Sequence, residues 1–329
     1  MSLTVLVTDI GWPNTTIEEA ILAPLGARVL LAKRGDEAEL LALAPEADAI
    51  LTCWKQIAPA VLDAAPRCRI VSRYGVGLDN IPVVHATALG MVVTNVPDFC
   101  HEEVSDHALA LILACARQIV TFARRTQRGE WNRQTTVPLP RLRGQTLGIV
   151  GYGNIARTLI PKAQGLGLRI LVYRRSKTME DALPGVTFVA DLAALLQASD
   201  YVSIHVPLTE ETHGLLNADT LRQMKPSAFL VNTSRGAVVN ESDLEAALRH
   251  GWIAGAALDV LSQEPPPPDH PLLQFENVII TPHAAFYSDA AIAELQQKAA
   301  LHVAQMLRGE TPTNIVNPQV LSQANYRGK

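Results

Sequence analysis

Between Thr146 and Ser176 the chain reads "TLGIVGYGNIARTLIPKAQGLGLRILVYRRS": a strand-length apolar run, a glycine turn, a helical stretch and a second strand. A strand, a helix-length crossover and a second strand form the connection that parallel strands need, since a short hairpin can join only antiparallel ones. The same alternation continues on both sides. Strands are expected at 4–9, 27–33, 48–53, 69–73 and 91–95, with helical patterns such as "TIEEAILAPL" and "EAELLALAPE" between them. A second series follows at "TLGIV", "RILVY", "YVSIH", "AFLVN", "GAALDV" and "NVIIT", with helices at 155–166, 191–197, 217–223 and 241–249. Strands alternating with helices in this way predict doubly wound parallel sheets. The 329 residues give room for two such domains.

Residues 101–129 break the alternation. Val104, Ala108, Ile112, Cys115, Ile119 and Ala123 recur at helical spacing, and much of the opposite face is apolar too. The pattern predicts one long buried helix, either between the domains or as an ordinary core helix. A last helical pattern, 288–308, is expected to return to the first domain. The predicted division is therefore 1–98 plus 288–329, a discontinuous domain, against 99–287.

Composition excludes several classes. A net charge of −4, with no basic cluster longer than a pair such as Arg174-Arg175, leaves no footprint for nucleic acid. Cys53, Cys68, Cys100 and Cys115 lie 15, 32 and 15 apart, with no CxxC, so neither a metal site nor a disulfide scaffold is expected. The longest apolar stretch, 107–123, is interrupted by Arg117 and Gln118, and the N-terminus lacks a basic leader; the expectation is a cytoplasmic protein with no membrane partner.

In "GIVGYGNIA", Gly151, Gly153 and Ala156 form a GxGxxA frame between a strand and a helix. Gly151 permits the tight turn, Gly153 lets the backbone approach a pyrophosphate, and Ala156 keeps helix and strand close. The helix N-terminus adds free N–H groups and a positive dipole. One strand later, where a ribose-binding carboxylate is usual, stand Arg174, Arg175 and Ser176. They offer donors and charge to a 2′-phosphate, which favours NADP(H). The alternative is a pair of solvated arginines with NAD bound instead.

Further along, "VNTSRGAVVNESDL", "AALDVLSQEPPPPDHPLL" and "VIITPHAAFYSD" each place one reactive residue near a strand end: Arg235, Glu264 and His283. Together with "RYGVGLDNI", "NVPDFCHEEVSDHALALIL" and "DYVSIHVPLTEETHGLLN", these pieces resemble the D-isomer-specific 2-hydroxyacid dehydrogenase family over nearly the whole chain. The ending "HAAFYSDAA" is also similar to the C-terminal-binding-protein branch of corepressors. The resemblance implies a flavodoxin-like substrate domain, a Rossmann cofactor domain and a cleft between them.

It further implies that His283 is the general acid, that Glu264 pairs with its imidazole and favours the charged form, and that Arg235 clamps the substrate carboxylate. Backbone N–H groups of Val76 and Gly77 would hold the other carboxylate oxygen, with Tyr74 and Phe286 lining the substrate. The implied dinucleotide contacts are Val104, Asn154, Ile155, His205, Val206, Pro207, Thr212, Thr233, Ser234, Asp259 and Ala285, with Asp259 orienting the nicotinamide carboxamide. A homodimer built on the cofactor domain is implied as well. The chain departs from the family pattern at Asp106, where Glu is usual, at Asn240, where Asp is usual, at Arg174, and at Phe286, where the corepressor branch has Trp.

The expected function is an NADPH-preferring reductase of a small 2-ketoacid such as glyoxylate or hydroxypyruvate. The alternatives are 3-phosphoglycerate dehydrogenase, for which Arg73 and Lys55 are candidate phosphate ligands, and a dinucleotide-sensing scaffold like the corepressors.

Overall fold

The computed structural model describes residues 3–135, 138–175 and 182–328. The chain forms two compact units, Met1–Cys100 with Ser288–Lys329, and His101–Tyr287.

The first unit begins with strands β1 (Thr4–Val7), β2 (Arg28–Leu31), β3 (Ala49–Thr52), β4 (Ile70–Arg73) and β5 (Val92–Thr94), connected by helices α1 (Thr16–Leu22), α2 (Glu37–Leu43), α3 (Pro59–Asp63) and α4 (Val83–Ala88). The strands pair in parallel in the order β2-β1-β3-β4-β5, with Val5 opposite Val29 on one side and Ala49 on the other. Every residue of β1, β3, β4 and β5 is buried. That is the signature of strands covered on both faces, and it explains why they read as continuous apolar runs. The short helices α3 and α4 add to the expected elements; neither is long enough to show a clear helical period in the sequence.

The second unit opens with α5 (His101–Arg117) and α6 (Ile119–Gln127). The single helix expected over 101–129 is therefore two. Gln118 takes the left-handed conformation, φ +51°, and the axes bend by 64° there. Its side-chain Nε2 donates at 3.2 Å to the Cys115 carbonyl, which also accepts the Gln118 N–H at 3.1 Å. Val104, Ala108, Ile112 and Cys115 remain buried on α5, whereas Ile119, beyond the bend, is exposed. No single helix among the described residues is long and apolar enough to cross a membrane.

The strands β6 (Thr146–Val150), β7 (Arg169–Tyr173), β8 (Val186–Phe188), β9 (Tyr201–Ile204), β10 (Phe229–Asn232), β11 (Gly255–Leu258) and β12 (Val278–Ile280) follow, with helices α7 (Asn154–Gly165), α8 (Leu192–Ala198), α9 (Ala218–Leu221) and α10 (Glu241–Arg249). All seven are parallel, in the order β12-β11-β10-β9-β6-β7-β8. The edge strand β8 is an addition to the expected series; three residues are too few for a pattern. Helix α9 is shorter than the 217–223 reading, one turn with Asn217 and Thr220 forming a capping box.

Both faces of this sheet are covered. On one, α5 and α7 bury Leu111, Ile112, Leu159 and Ile160 against Ile149 and Val231; on the other, Leu195, Leu221 and Leu244 meet Val202 and Leu230. Two departures from the family pattern lie here, and one of them is explained. Asn240 is the N-cap of α10, accepting from the Asp243 N–H, a position where Asn and Asp serve equally. Asp106 on α5 binds Lys162 Nζ of α7 at 2.7 Å.

Finally α11 (Asp289–Leu307) returns to the first unit and packs on α1, β3 and β4, where the Ser72 hydroxyl donates to the Ala299 carbonyl. Asn317 then accepts from the Val93 N–H and donates to the Met91 carbonyl and Thr87 hydroxyl.

Candidate active site

At the centre of the second sheet the chain runs outward from β6 in both directions, to β7 on one side and β9 on the other. Ligands of open α/β sheets gather outside the carboxyl ends of strands at such a point. Gly151 follows β6 with φ +101°, and a Cβ there would strike the His205 carbonyl. Internal sterics alone require that glycine. Gly153 is different: its φ is −79°, and an added Cβ would meet no protein atom within 4 Å. Its bareness instead leaves the N–H groups of Gly153, Asn154 and Ile155 uncovered at the start of α7, which no side chain caps and which make no hydrogen bond among the described residues. These features fit an anionic phosphate.

The neighbouring strand ends continue the crevice. Thr233, after β10, has a buried hydroxyl with no hydrogen-bond partner among the described residues. A buried polar atom left so is unfavourable by about 1–3 kcal/mol, and a dinucleotide hydroxyl or amide would satisfy it. Burial pushes the His205 imidazole down to about 4, so it is neutral at pH 7, with Nε2 2.8 Å from the Ser203 hydroxyl. Thr212 donates to the Pro207 carbonyl at 2.6 Å and accepts from the Thr209 N–H, and Val206 packs against the core, so these three shape the loop after β9. Val104 and Ala285 are buried, and the Ala285 N–H is already donated to Asp259.

After β7, the Arg174 guanidinium lies over the Phe188 ring at 4.5 Å and the Tyr152 ring at 5.2 Å. It is a cation held against two aromatic rings rather than a loose strand-end side chain. Arg175 is exposed and pairs with Glu211 at 2.7 Å. Ser176, the third residue of that expectation, lies outside the described residues.

The reactive residues come from three loops of the same unit. His283 sits after β12 with φ +51°, and its Nδ1 is 2.6 Å from Glu264 Oε2. Glu264 also accepts from the Leu261 N–H at 2.9 Å. Burial would raise its carboxyl, but the hydrogen bond and charge of His283, the Leu261 N–H and the Arg235 charge outweigh that and hold it below the usual carboxylate range. Arg235 is brought near by Gly236, where a Cβ would collide with the Leu261 backbone; only glycine lets the two loops approach so closely. Phe286 meets the His283 ring edge-to-face at 6.1 Å. A cavity of about 370 Å³ opens beside Glu264 and His283, walled by Leu261, Leu272, Leu273 and Arg124.

Three residues that the sequence reading does not single out organise these loops. Asn232, buried at the end of β10, accepts from the Ser234 N–H and hydroxyl and donates to the Arg235 carbonyl. Ser234, expected to touch the cofactor, thereby spends its hydroxyl on Asn232. Thr281 and His107 converge on Asp259. Asp259 is 1% exposed, and its carboxylate accepts from Thr281 Oγ1, the Ala284 N–H and the Ala285 N–H. The side chain assigned by resemblance to the carboxamide is thus the anchor of the loop that carries His283.

In the first unit, the loop after β4 is built over a buried cation. Arg73 is 8% exposed, donates to the Tyr74 carbonyl and to Asn80, and forbids a side chain at Gly75. Tyr74 corrects the expectation of a substrate contact. It is 1% exposed, and its hydroxyl donates to the buried Glu18 at 2.8 Å while its ring meets Trp12 edge-to-face. Alternation along β4 and its continuation turns Tyr74 into the core, so it supports the loop from below. Val76 is exposed, its carbonyl accepts from Asn95, and the N–H groups of Val76 and Gly77 donate to nothing among the described residues. No group of three His, Cys, Asp or Glu among the described residues could hold a metal ion.

The profile of the D-isomer specific 2-hydroxyacid dehydrogenase NAD binding domain matches residues 109–285, more than half of the chain. The chain belongs to this family. As a D-2-hydroxyacid dehydrogenase it is an NAD(P)-dependent oxidoreductase. The dehydrogenase is 46% identical over 267 residues to a glyoxylate reductase of Korarchaeum cryptofilum, covering 79% of this chain and 80% of that protein. It is similar to the solved TT0316 protein of Thermus thermophilus, with 35% identity, a TM-score of 0.87 and coverage of 95% and 100%. It also resembles an NADPH-dependent glyoxylate/hydroxypyruvate reductase of Sinorhizobium meliloti solved with NADP and malonate, with 30% identity, a TM-score of 0.84 and coverage of 99% and 98%.

Proposed function

We propose that this dehydrogenase reduces a small 2-ketoacid of the glyoxylate or hydroxypyruvate type and prefers NADPH. The observation that carries the reading is the 2.6 Å contact of His283 with Glu264, beside Arg235 on a loop that glycine brings close. A bound nicotinamide dinucleotide supplies the hydride. The chain's own residues do the rest. His283 presents Nε2 to the keto oxygen and gives it a proton, while Glu264 holds Nδ1–H, fixes the tautomer and stabilises the imidazolium. Arg235 binds the substrate carboxylate and stabilises the developing alkoxide. The Val76 and Gly77 N–H groups are assigned to the second carboxylate oxygen. Turnover of a panel of 2-ketoacids with each reduced cofactor tests the reading; failure to reduce any of them with either cofactor overturns it.

Arg174 supports the cofactor preference. Its guanidinium lies against the Phe188 and Tyr152 rings at the end of β7, where a 2′-phosphate would need a two-pronged donor. The exposed Arg175–Glu211 pair is worth at most about 1 kcal/mol and can be exchanged for a phosphate contact. We expect kcat/KM to favour NADPH over NADH, with the advantage shrinking as salt rises. Arg174→Asp should reverse the preference by removing a donor and adding repulsion. Its rate with NADH is the internal control, since a misfolded variant would lose both activities. Equal use of the two cofactors by the parent defeats this assignment.

The 3-phosphoglycerate reading is the weaker one, because Arg73 is buried and donates to Tyr74 and Asn80. A homodimer through the second unit is supported by its exposed Ile119, Leu139 and Trp131, the last 92% exposed. The four unbridged cysteines support a reducing compartment, the cytoplasm.

A further inference from the structure

We propose that His107, on α5, is a positioning residue of the reaction, acting through Thr281 and Asp259 to fix the loop that presents His283. The inference rests on His283 being the proton donor proposed above.

The direction of the hydrogen bonds follows from counting protons. Thr281 has one hydroxyl proton. Its Oγ1 is 2.5 Å from Asp259 Oδ1, and a carboxylate only accepts, so the proton lies on that bond. The same oxygen is 3.0 Å from His107 Nε2. It must therefore accept there, and Nε2 of His107 carries a hydrogen. That nitrogen is also 3.5 Å from Asp259 Oδ1 itself. His107 thus closes a three-member network around a carboxylate that is 1% exposed.

What the network holds is the loop beyond β12. Asp259 Oδ1 and Oδ2 take the N–H groups of Ala284 and Ala285, the two residues after His283. The Asp259 carbonyl takes the His283 N–H at 2.8 Å, and the Thr281 carbonyl lies 3.0 Å from the same N–H. His283 is kept at φ +51°, a left-handed conformation uncommon for a residue with a side chain. Side-chain position at Nδ1 depends on that backbone, because Glu264 is reached at 2.6 Å from this geometry. A donor on α5 therefore sets the aim of an imidazole that it does not touch. Sequence alone hides the link, since His107 and Thr281 are far apart in the chain and His107 reads as one more residue on a helix.

The test uses the full-length enzyme with ketoacid and reduced cofactor. His107→Leu and Thr281→Val each remove the bond, and each should lower kcat by about 10- to 100-fold, the scale of a misaligned reacting group. KM for the ketoacid should stay near the parental value, because Arg235 is held by a different loop. His107→Gln, which keeps a donor, and Thr281→Ser, which keeps the hydroxyl, should retain most of the parental kcat. The double variant His107→Leu/Thr281→Val should be no slower than the slower single variant, because both break one network. Parental kcat in His107→Leu overturns the proposal. So does a loss that His107→Gln fails to rescue, or one that adds in the double variant. His283→Ala, assayed alongside, separates the two readings: if it turns over normally, the acid assignment itself fails; if it is inactive while His107→Leu is normal, only the positioning role fails.

Discussion

Replacing His283 by alanine is expected to lower the rate of 2-ketoacid reduction by about 10²–10⁴-fold, the range for losing a positioned general acid. The expectation rests on geometry. Nδ1 faces Glu264 Oε2 at 2.6 Å, so the proposed proton transfer to the substrate oxygen runs through Nε2. Glu264 stays ionised to below the usual carboxylate range and so remains an acceptor for Nδ1–H throughout the neutral region. Cofactor affinity should change little, because the uncovered N–H groups of α7 belong to a different strand end. Steady-state rates and a direct titration with reduced dinucleotide check both halves. A variant that turns over at the parental rate would show that the proton comes from elsewhere.

Arg235→Lys should be almost as damaging, with kcat/KM for the ketoacid falling about 10²–10³-fold, the scale of one lost transition-state donor. Lysine keeps the charge but not the planar fork that binds a carboxylate through two parallel bonds. One arm of Arg235, Nη1, donates to the Ser234 carbonyl at 2.8 Å, and Asn232 fixes the backbone from below, so the guanidinium is pre-aimed. A single ammonium cannot both hold that carbonyl and span a carboxylate. The loss should fall on kcat and KM together, since the ground-state carboxylate and the developing alkoxide both meet this residue. Kinetics equal to the parent would reduce Arg235 to a surface cation.

Much of this is legible without coordinates. Parallel strands covered on both faces leave unbroken apolar runs, and β1, β3, β6 and β10 are visible for that reason. Gly151 and Gly153 are visible because they form a GxGxxA frame between a strand and a helix, and Arg235, Glu264 and His283 because they occur together in the order of the family that the chain resembles. What fails to show is equally physical. The bend at Gln118 interrupts a stretch whose hydrophobic period runs on without a break, and no proline or glycine marks it. Tyr74 stands two residues from Val76, but its side chain points to Glu18 in the core. Asp259 is recognisable as a site residue, yet its partners Thr281, Ala284 and Ala285 come from a later loop that no local pattern connects to it.

The return of α11 to the first unit bears on how the protein is made. A ribosome releases the strands β1 to β5 early, but Ser288–Lys329 emerge only after the whole of His101–Tyr287. At about 5–20 residues per second, those intervening residues take roughly ten to forty seconds to synthesise. During that interval the second unit has all of its sequence and can close, whereas the first sheet lacks the helix that packs on β3 and β4. Its uncovered apolar face is then a binding surface for a holdase and a nucleus for aggregation between neighbouring nascent chains. Chaperone supply over that window should therefore influence the yield of folded enzyme.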